Sequence, residues 1–225
     1  MKRILKSIFI ACFIAILFGY SGAEAHQPNF ADTQTGIKIS DPEISRAFYG
    51  TLNGKPTIYE INSPFDFQLY VGLLSPDITE TRTNFSAIIT DKNGKVAELN
   101  GNNFIWNRWY EKFAGDWYWQ GPEIKKAVPS GDYFISISNP NNQGKYVLAV
   151  GETESFPVSQ IPHTFSELIK IKTQFFGKPW YSAFTNKIGL YAGLGLLAVI
   201  ALCVVILFLI KFIIKKRQKQ NNSII

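Results

Sequence analysis

Cysteine is nearly absent: the 225 residues hold two, Cys12 and Cys203, and both fall inside apolar segments. Whatever lies between those segments has no disulfide, no thiol nucleophile and no thiolate metal site. Histidine is as scarce, with His26 and His163 only. There is no H-E-x-x-H, no G-x-S-x-G elbow, no Walker A and no Rossmann glycine fingerprint. The acids scattered over 26–210 form no motif, and a glycosidase pair is recognised by its separation in space. No enzyme and no cofactor can be read from these residues.

A net positive charge is missing from the middle of the chain as well. The formal charge is +6. Lys2, Arg3 and Lys6 lie against Glu24 at the start, and Lys211, Lys215, Lys216, Arg217 and Lys219 stand without an acid at the end, which leaves 26–210 with one net negative charge. A basic pI made by the two ends is no sign of nucleic-acid binding.

Those basic ends flank the two long apolar runs. The first, Ile8 to Phe18, follows a basic start and precedes Ala23-Glu24-Ala25, an A-x-A cleavage site. Residues 1–25 therefore read as a signal peptide, with His26 as the mature N-terminus. The second, 188–210, spans about 34 Å as a helix, enough for a hydrocarbon core of about 30 Å. The basic tail 211–225 keeps its C-terminal side in the cytoplasm. The expected location is the cytoplasmic membrane, single-pass, with the N-terminal part outside, in a periplasm or at a cell surface. Trp180, Tyr181, Phe184 and Tyr191 suit the outer interface. Gly189 and Gly193 form a G-x-x-x-G pair, either a helix–helix contact that would support a homodimer or simply the ordinary abundance of glycine in such helices.

Between the runs, 26–156 alternates short β-rich stretches with turn signals. Strands are expected at 44–49, 57–62, 66–74, 84–90, 95–99, 132–138 and 145–150, separated by Asn53-Gly54, Ser63-Pro64, Ser75-Pro76, Asp91-Lys92-Asn93-Gly94, Pro129-Ser130-Gly131 and Asn139-Pro140. The class is all-β, a β-sandwich or jelly roll. Val128-Pro129-Ser130-Gly131-Asp132-Tyr133-Phe134-Ile135-Ser136-Ile137-Ser138, with Gly144-Lys145-Tyr146-Val147-Leu148-Ala149-Val150, resembles the closing hairpin of bacterial pre-peptidase C-terminal domains. That resemblance covers about twenty-five residues and implies a small exported β-sandwich; it implies no catalysis. The whole arrangement resembles single-pass bacterial membrane proteins.

Four of the five tryptophans crowd into 104–120, as Trp106, Trp109, Trp117 and Trp119, with Tyr110, Phe113 and Tyr118. Exposed, such rings stack on sugars or anchor a protein interface. Buried, Trp106, Trp109 and Phe113 would be core residues of a helical or looped crossover between sheets. The Trp117–Trp119 half, beside Gly121-Pro122, reads as more loop-like and is the better recognition candidate.

Segment 157–187 reads as a juxtamembrane linker and an amphipathic helix. Thr164-Phe165-Ser166-Glu167 matches a capping box for a helix over 165–176, with Lys170, Lys172 and Gln174 opposite its apolar face, ended by Gly177 and Pro179. It would dock on the domain or lie on the outer leaflet.

One position is chemically suggestive. A mature N-terminal His26 would chelate copper through its amine and imidazole, although such sites normally need a second histidine. The functional expectation is a membrane-anchored, non-catalytic binding module for a protein partner or envelope polymer. The alternatives are an accessory subunit of an envelope membrane complex and a copper protein using His26.

Overall fold

The computed structural model describes residues 26–31, 35–112, 114–155, 157, 159 and 161–221. The signal segment 1–25 and Phe113 lie outside them. The described chain divides into two compact units, one running through Asn186 and one beginning at Lys187.

The first unit is a β-sandwich. Its strands are β1 (Gln27–Phe30), β2 (Ile37–Ile39), β3 (Arg46–Asn53), β4 (Thr57–Ser63), β5 (Phe67–Pro76) and β6 (Ser86–Asp91). They continue as β7 (Gly94–Leu99), β8 (Asn107–Glu111), β9 (Asp116–Val128), β10 (Gly131–Ser138) and β11 (Gln143–Val150). One sheet has the order β1-β3-β11-β5-β9-β8 and the other β2-β4-β10-β6-β7.

Alternation builds the core between the sheets. In β10, Tyr133, Ile135 and Ile137 are buried while the residues between them lie toward solvent. They meet Leu69, Val71 and Leu73 of β5 and Leu148 and Val150 of β11 in one cluster. The hydroxyls of Tyr59 and Tyr146 meet at 2.9 Å inside this core. Tyr133, from the hairpin with the family resemblance, donates its hydroxyl proton to the Pro129 carbonyl (2.7 Å) and ties the β9–β10 turn to the strand it begins.

The expected strands appear, with shifted ends, and four more join them: β1, β2, β8 and β9. The last two replace the anticipated crossover. The aromatic stretch is a β-hairpin, because alternating Trp and Tyr fit a pleated surface on which each face finds its own neighbours. Gly121-Pro122, which reads as a break, lies within β9. The β5–β9 register slips between Gly72 and Leu74, opposite this dipeptide, and β8 stops pairing at Gln120. A bulge on one side and an open edge on the other spare Pro122 the N–H it lacks.

The helix also starts earlier than its capping pattern suggests. Helix α1 (Ile161–Lys170) is prolonged by a wider turn over Ile171–Phe175, closed by Phe176 N donating to Ile171 O (2.9 Å). Pro162 fits the first turn, where no intrahelical donor is needed. Thr164 therefore lies within the helix and caps nothing. Glu167 instead accepts the Phe30 N–H (2.6 Å) and the Lys170 ammonium (2.9 Å).

Of the two placements open for this helix, the structure has the docked one. Ile171, Phe175 and Phe176 pack with Ala47, Tyr49, Tyr118 and Val147 on the outer face of the six-stranded sheet. Lys172 is not opposite the apolar face but within it, being 1 % exposed. It stands four residues from both Leu168 and Phe176, so helical geometry puts it on their stripe.

The second unit contains helix α2 (Lys187–Asn221), long and apolar enough to cross a membrane. Its most apolar window is Gly193–Lys215, five residues beyond the expected 188–210. Phe212, Ile213 and Ile214 carry the apolar run past Lys211, whose long stem can reach the interface.

Candidate functional site

Hairpin β8–β9 closes one edge of the six-stranded sheet, with Trp109 opposite Tyr118, Tyr110 opposite Trp117 and Arg108 opposite Trp119. Cross-strand partners share a face. One face thus carries Trp109 and Tyr118, and the other Arg108, Tyr110, Trp117 and Trp119.

This sorting separates the aromatics singled out in the sequence. Trp106, just before β8, is buried in the sandwich core and donates its indole proton to the Gly101 carbonyl (2.9 Å). The six-membered part of its ring abuts Gly121, where an added Cβ would come within 2.5 Å of it. Tyr118 is buried on the other side of the sheet, edge-on to Phe176, with its hydroxyl 3.2 Å from that of Tyr49. Burial raises both phenols above their ordinary pKa. Neither Trp106 nor Tyr118 presents a face to solvent. Trp119 is half-buried, its indole donating to Asp77 Oδ1 (3.1 Å).

Of the tryptophans and tyrosines in this stretch, Trp109, Tyr110 and Trp117 are exposed, at 37 %, 40 % and 42 %. Trp117 sits in a stack. The Arg108 guanidinium lies 4.3 Å over its ring, and the Tyr110 ring centre is 4.9 Å away. Asp77, leaving β5, holds Arg108 through contacts of 2.6 and 2.7 Å. The cluster is thereby fixed before anything binds, which lowers the ordering cost of association. Arg108 and Asp77 were not legible as members of it, because their link crosses thirty-one positions of sequence.

The tip of the hairpin is anchored from the opposite face. Asp116 is fully buried and receives Lys172 Nζ at 2.5 Å and Lys178 Nζ at 2.7 Å. Lys172 also donates to the Ala114 carbonyl (2.6 Å), as does Asn186 Nδ2 (2.8 Å). Burial lowers the Lys172 pKa, against the pull of Asp116. The segment from Lys172 to Asn186 is therefore a strap around the tip, and Asn186 directly precedes α2.

His26 lies apart from this surface. Its Nδ1 is 2.5 Å from the Ser45 hydroxyl, so the nitrogen a terminal amine–imidazole chelate would use is engaged. Among the described residues no three His, Cys, Asp or Glu side chains are grouped to hold a metal. Gly189 and Gly193 both lie on α2, and nothing stands within 4 Å of where a Gly193 Cβ would be. Trp180, Tyr181 and Phe184 are exposed, Trp180 is in ring contact with both of the others, and Phe184 stacks on Phe165 at 5.9 Å.

No family model matches the chain, and no curated protein matches it in sequence. Among solved structures, it is similar to the pre-peptidase C-terminal domain of a collagenase from Bacillus anthracis, at 12 % identity and a TM-score of 0.32, over 58 % of this chain and 98 % of that one. A β-glucosidase from Paenibacillus barengoltzii is similar at 10 % identity and a TM-score of 0.25, over 57 % of this chain and 13 % of that one. The first is the kind of domain that the β10–β11 hairpin resembles.

Proposed function

We propose that the protein is a non-catalytic recognition module, held by its C-terminal helix at the outer face of a cytoplasmic membrane, and that hairpin β8–β9 is its binding surface. The observation that carries this reading is the exposed, pre-ordered Arg108–Trp117–Tyr110 stack with Trp109 on the reverse face. Trp, Tyr and Arg are the residue types that dominate the energy of protein interfaces. Arg108 covers one side of the Trp117 ring and Tyr110 is tilted against it, which leaves less of the ring for a sugar to stack on and favours a protein partner over an envelope polymer. Orientation follows from the basic tail and the signal-like N-terminus.

The test is crosslinking and co-purification of the full-length protein from its native membranes. Replacing Trp117 or Tyr110 by alanine should lower recovery of the associated chain roughly 30-fold if each supplies a hot spot of about 2 kcal/mol. Unchanged recovery with both variants would refute the assignment of the surface.

A further inference from the structure

A sandwich of two open sheets has four edge strands, and each offers main-chain groups to any passing strand unless something prevents it. Three of the four edges are guarded. On β1, Pro28 has no N–H to offer, and that of Phe30 goes to Glu167 of α1. β2 has only three residues. On β7, Lys126 Nζ takes the Val96 carbonyl (3.2 Å). The fourth edge, β8, has β9 on one side and no described strand on the other. Asn107 to Tyr110 are all exposed, and no proline or bulge interrupts the strand.

We propose that β8 pairs with β8 of a second copy of this chain, antiparallel about a two-fold axis through Trp109, joining two six-stranded sheets into one. The inference rests on the reading of this hairpin as the binding surface and names the partner. Its register follows from the sequence of the strand. Opposed residues in a continuous sheet share a face, so the two-fold axis must pass through a residue and not between two. An axis through Trp109 brings all five residues into register. Trp109 then meets its own counterpart, Arg108 meets Tyr110 of the second copy on one face, and Asn107 meets Glu111 on the other. Aromatic–aromatic, cation–aromatic and amide–carboxylate pairs all favour a sheet. The neighbouring registers are penalised. An axis through Arg108 opposes two guanidinium groups, and one through Tyr110 sets Arg108 against Lys112. An axis through Glu111 opposes two carboxylates. Five residues make a small contact, but confinement of both copies to one membrane raises their mutual concentration.

The experiment is disulfide trapping of the full-length chain in native membranes, with Cys12 and Cys203 replaced by serine and a mild oxidant added. Cysteines opposed across the axis would have Cα atoms about 4.5–5.5 Å apart, within disulfide reach. Trp109→Cys should therefore convert to a species of doubled mass. Asn107→Cys and Glu111→Cys, each about 13 Å from its own counterpart, should not do so alone. They should form the mixed disulfide when co-expressed, in chains that keep Trp109. A monomeric Trp109→Cys together with no mixed 107–111 product would overturn the proposal, as would equal trapping at 107, 109, 111 and a remote exposed control, Phe65→Cys. If Trp117→Ala abolishes capture of another protein while no disulfide forms at 109, the hairpin remains the binding surface and the second copy is not its partner. If neither alanine variant alters any association, the surface itself is wrongly assigned.

Discussion

The ammonium of Lys172 lies 2.5 Å from the carboxylate of Asp116, and both side chains are sealed from solvent. This pair joins the helix that docks on the sheet to the hairpin that carries the exposed aromatics. Because Lys178 and Asn186 bond to the same tip, hairpin β8–β9 and the segment that precedes α2 are held by one set of contacts.

The three charges that join strap and tip are not equivalent. Asp116→Ala leaves Lys172 buried with no counter-charge and should cost about 3–5 kcal/mol, the usual penalty for breaking a buried pair from one side. Lys172→Met should cost less, since Lys178 still neutralises Asp116 and the methionine stem refills the stripe. Lys178→Ala should cost least, because that side chain is partly in solvent and Lys172 remains beside Asp116. The Asp116→Ala/Lys172→Met double variant should be more stable than the sum of the singles predicts. Denaturant unfolding of the detergent-solubilised full-length protein, followed by tryptophan fluorescence, would give the order; Lys178→Ala as the most damaging variant would contradict it.

Alkaline pH should unfold the sandwich. Burial pushes the Tyr146 phenol up to about 12 and raises Tyr49, Tyr59 and Tyr118 as well. In the unfolded chain these groups ionise near pH 10. The folded state then holds protons that the unfolded state has lost, so the stability they contribute is intact below pH 10 and falls as pH climbs toward 12, by about 1.4 kcal/mol per pH unit for each such group. Lys172 acts in the opposite sense, its lowered pKa favouring the fold as pH nears 10.5, but the raised tyrosines outnumber it. Stability measured from pH 9 to 11.5 should drop more gently in Tyr146→Phe. A flat wild-type profile would refute the account.

Gly121 is a close-approach position within a strand. An alanine methyl would stand 2.5 Å from the Trp106 ring, which cannot retreat because its indole N–H is bonded to Gly101. Gly121→Ala should cost about 1–3 kcal/mol by overpacking. Co-introducing Trp106→Phe, which removes the clashing ring, should recover part of that loss in the same unfolding assay.

How much of this could be read beforehand depends on the range of the interaction. The strands with clean period-two alternation, such as β10, were legible because burial of one face is written in adjacent residues. Hairpin β8–β9 was hidden by Gly121-Pro122, which break strands in general and are tolerated here because β9 bulges at them, two residues standing opposite Leu73 of β5. Lys172 lay on the apolar stripe by spacing alone; its charge argued against burial, and its partner, fifty-six residues earlier, could not be seen from the helix. Of the aromatic candidates, Trp117 and Trp109 emerge on the surface while Trp106 and Tyr118 do not. That division follows from strand parity, which becomes usable only once the stretch is known to be a hairpin.

The direction of the chain across its membrane is the remaining premise, and charge makes it testable. The C-terminal stretch from Lys211 on carries five positive charges and no negative ones, whereas 26–210 carries one net negative charge. Lysine and arginine are retained on the cytoplasmic side, so the sandwich should face outward. In a cysteine-free background, Ser130→Cys on the exposed β9–β10 turn should react with a membrane-impermeant maleimide on intact cells, or on spheroplasts where an outer membrane intervenes. Gln218→Cys near the end of α2 should react only after lysis. Changing all five basic residues to glutamine removes the retention signal at one end and leaves the signal-like N-terminus to act alone. If that N-terminus is an exported signal, Ser130→Cys keeps its outside labelling and only Gln218→Cys becomes less strictly protected. Labelling of Gln218→Cys on intact cells in the otherwise unaltered chain would reverse the topology and remove hairpin β8–β9 from any partner outside the cytoplasm.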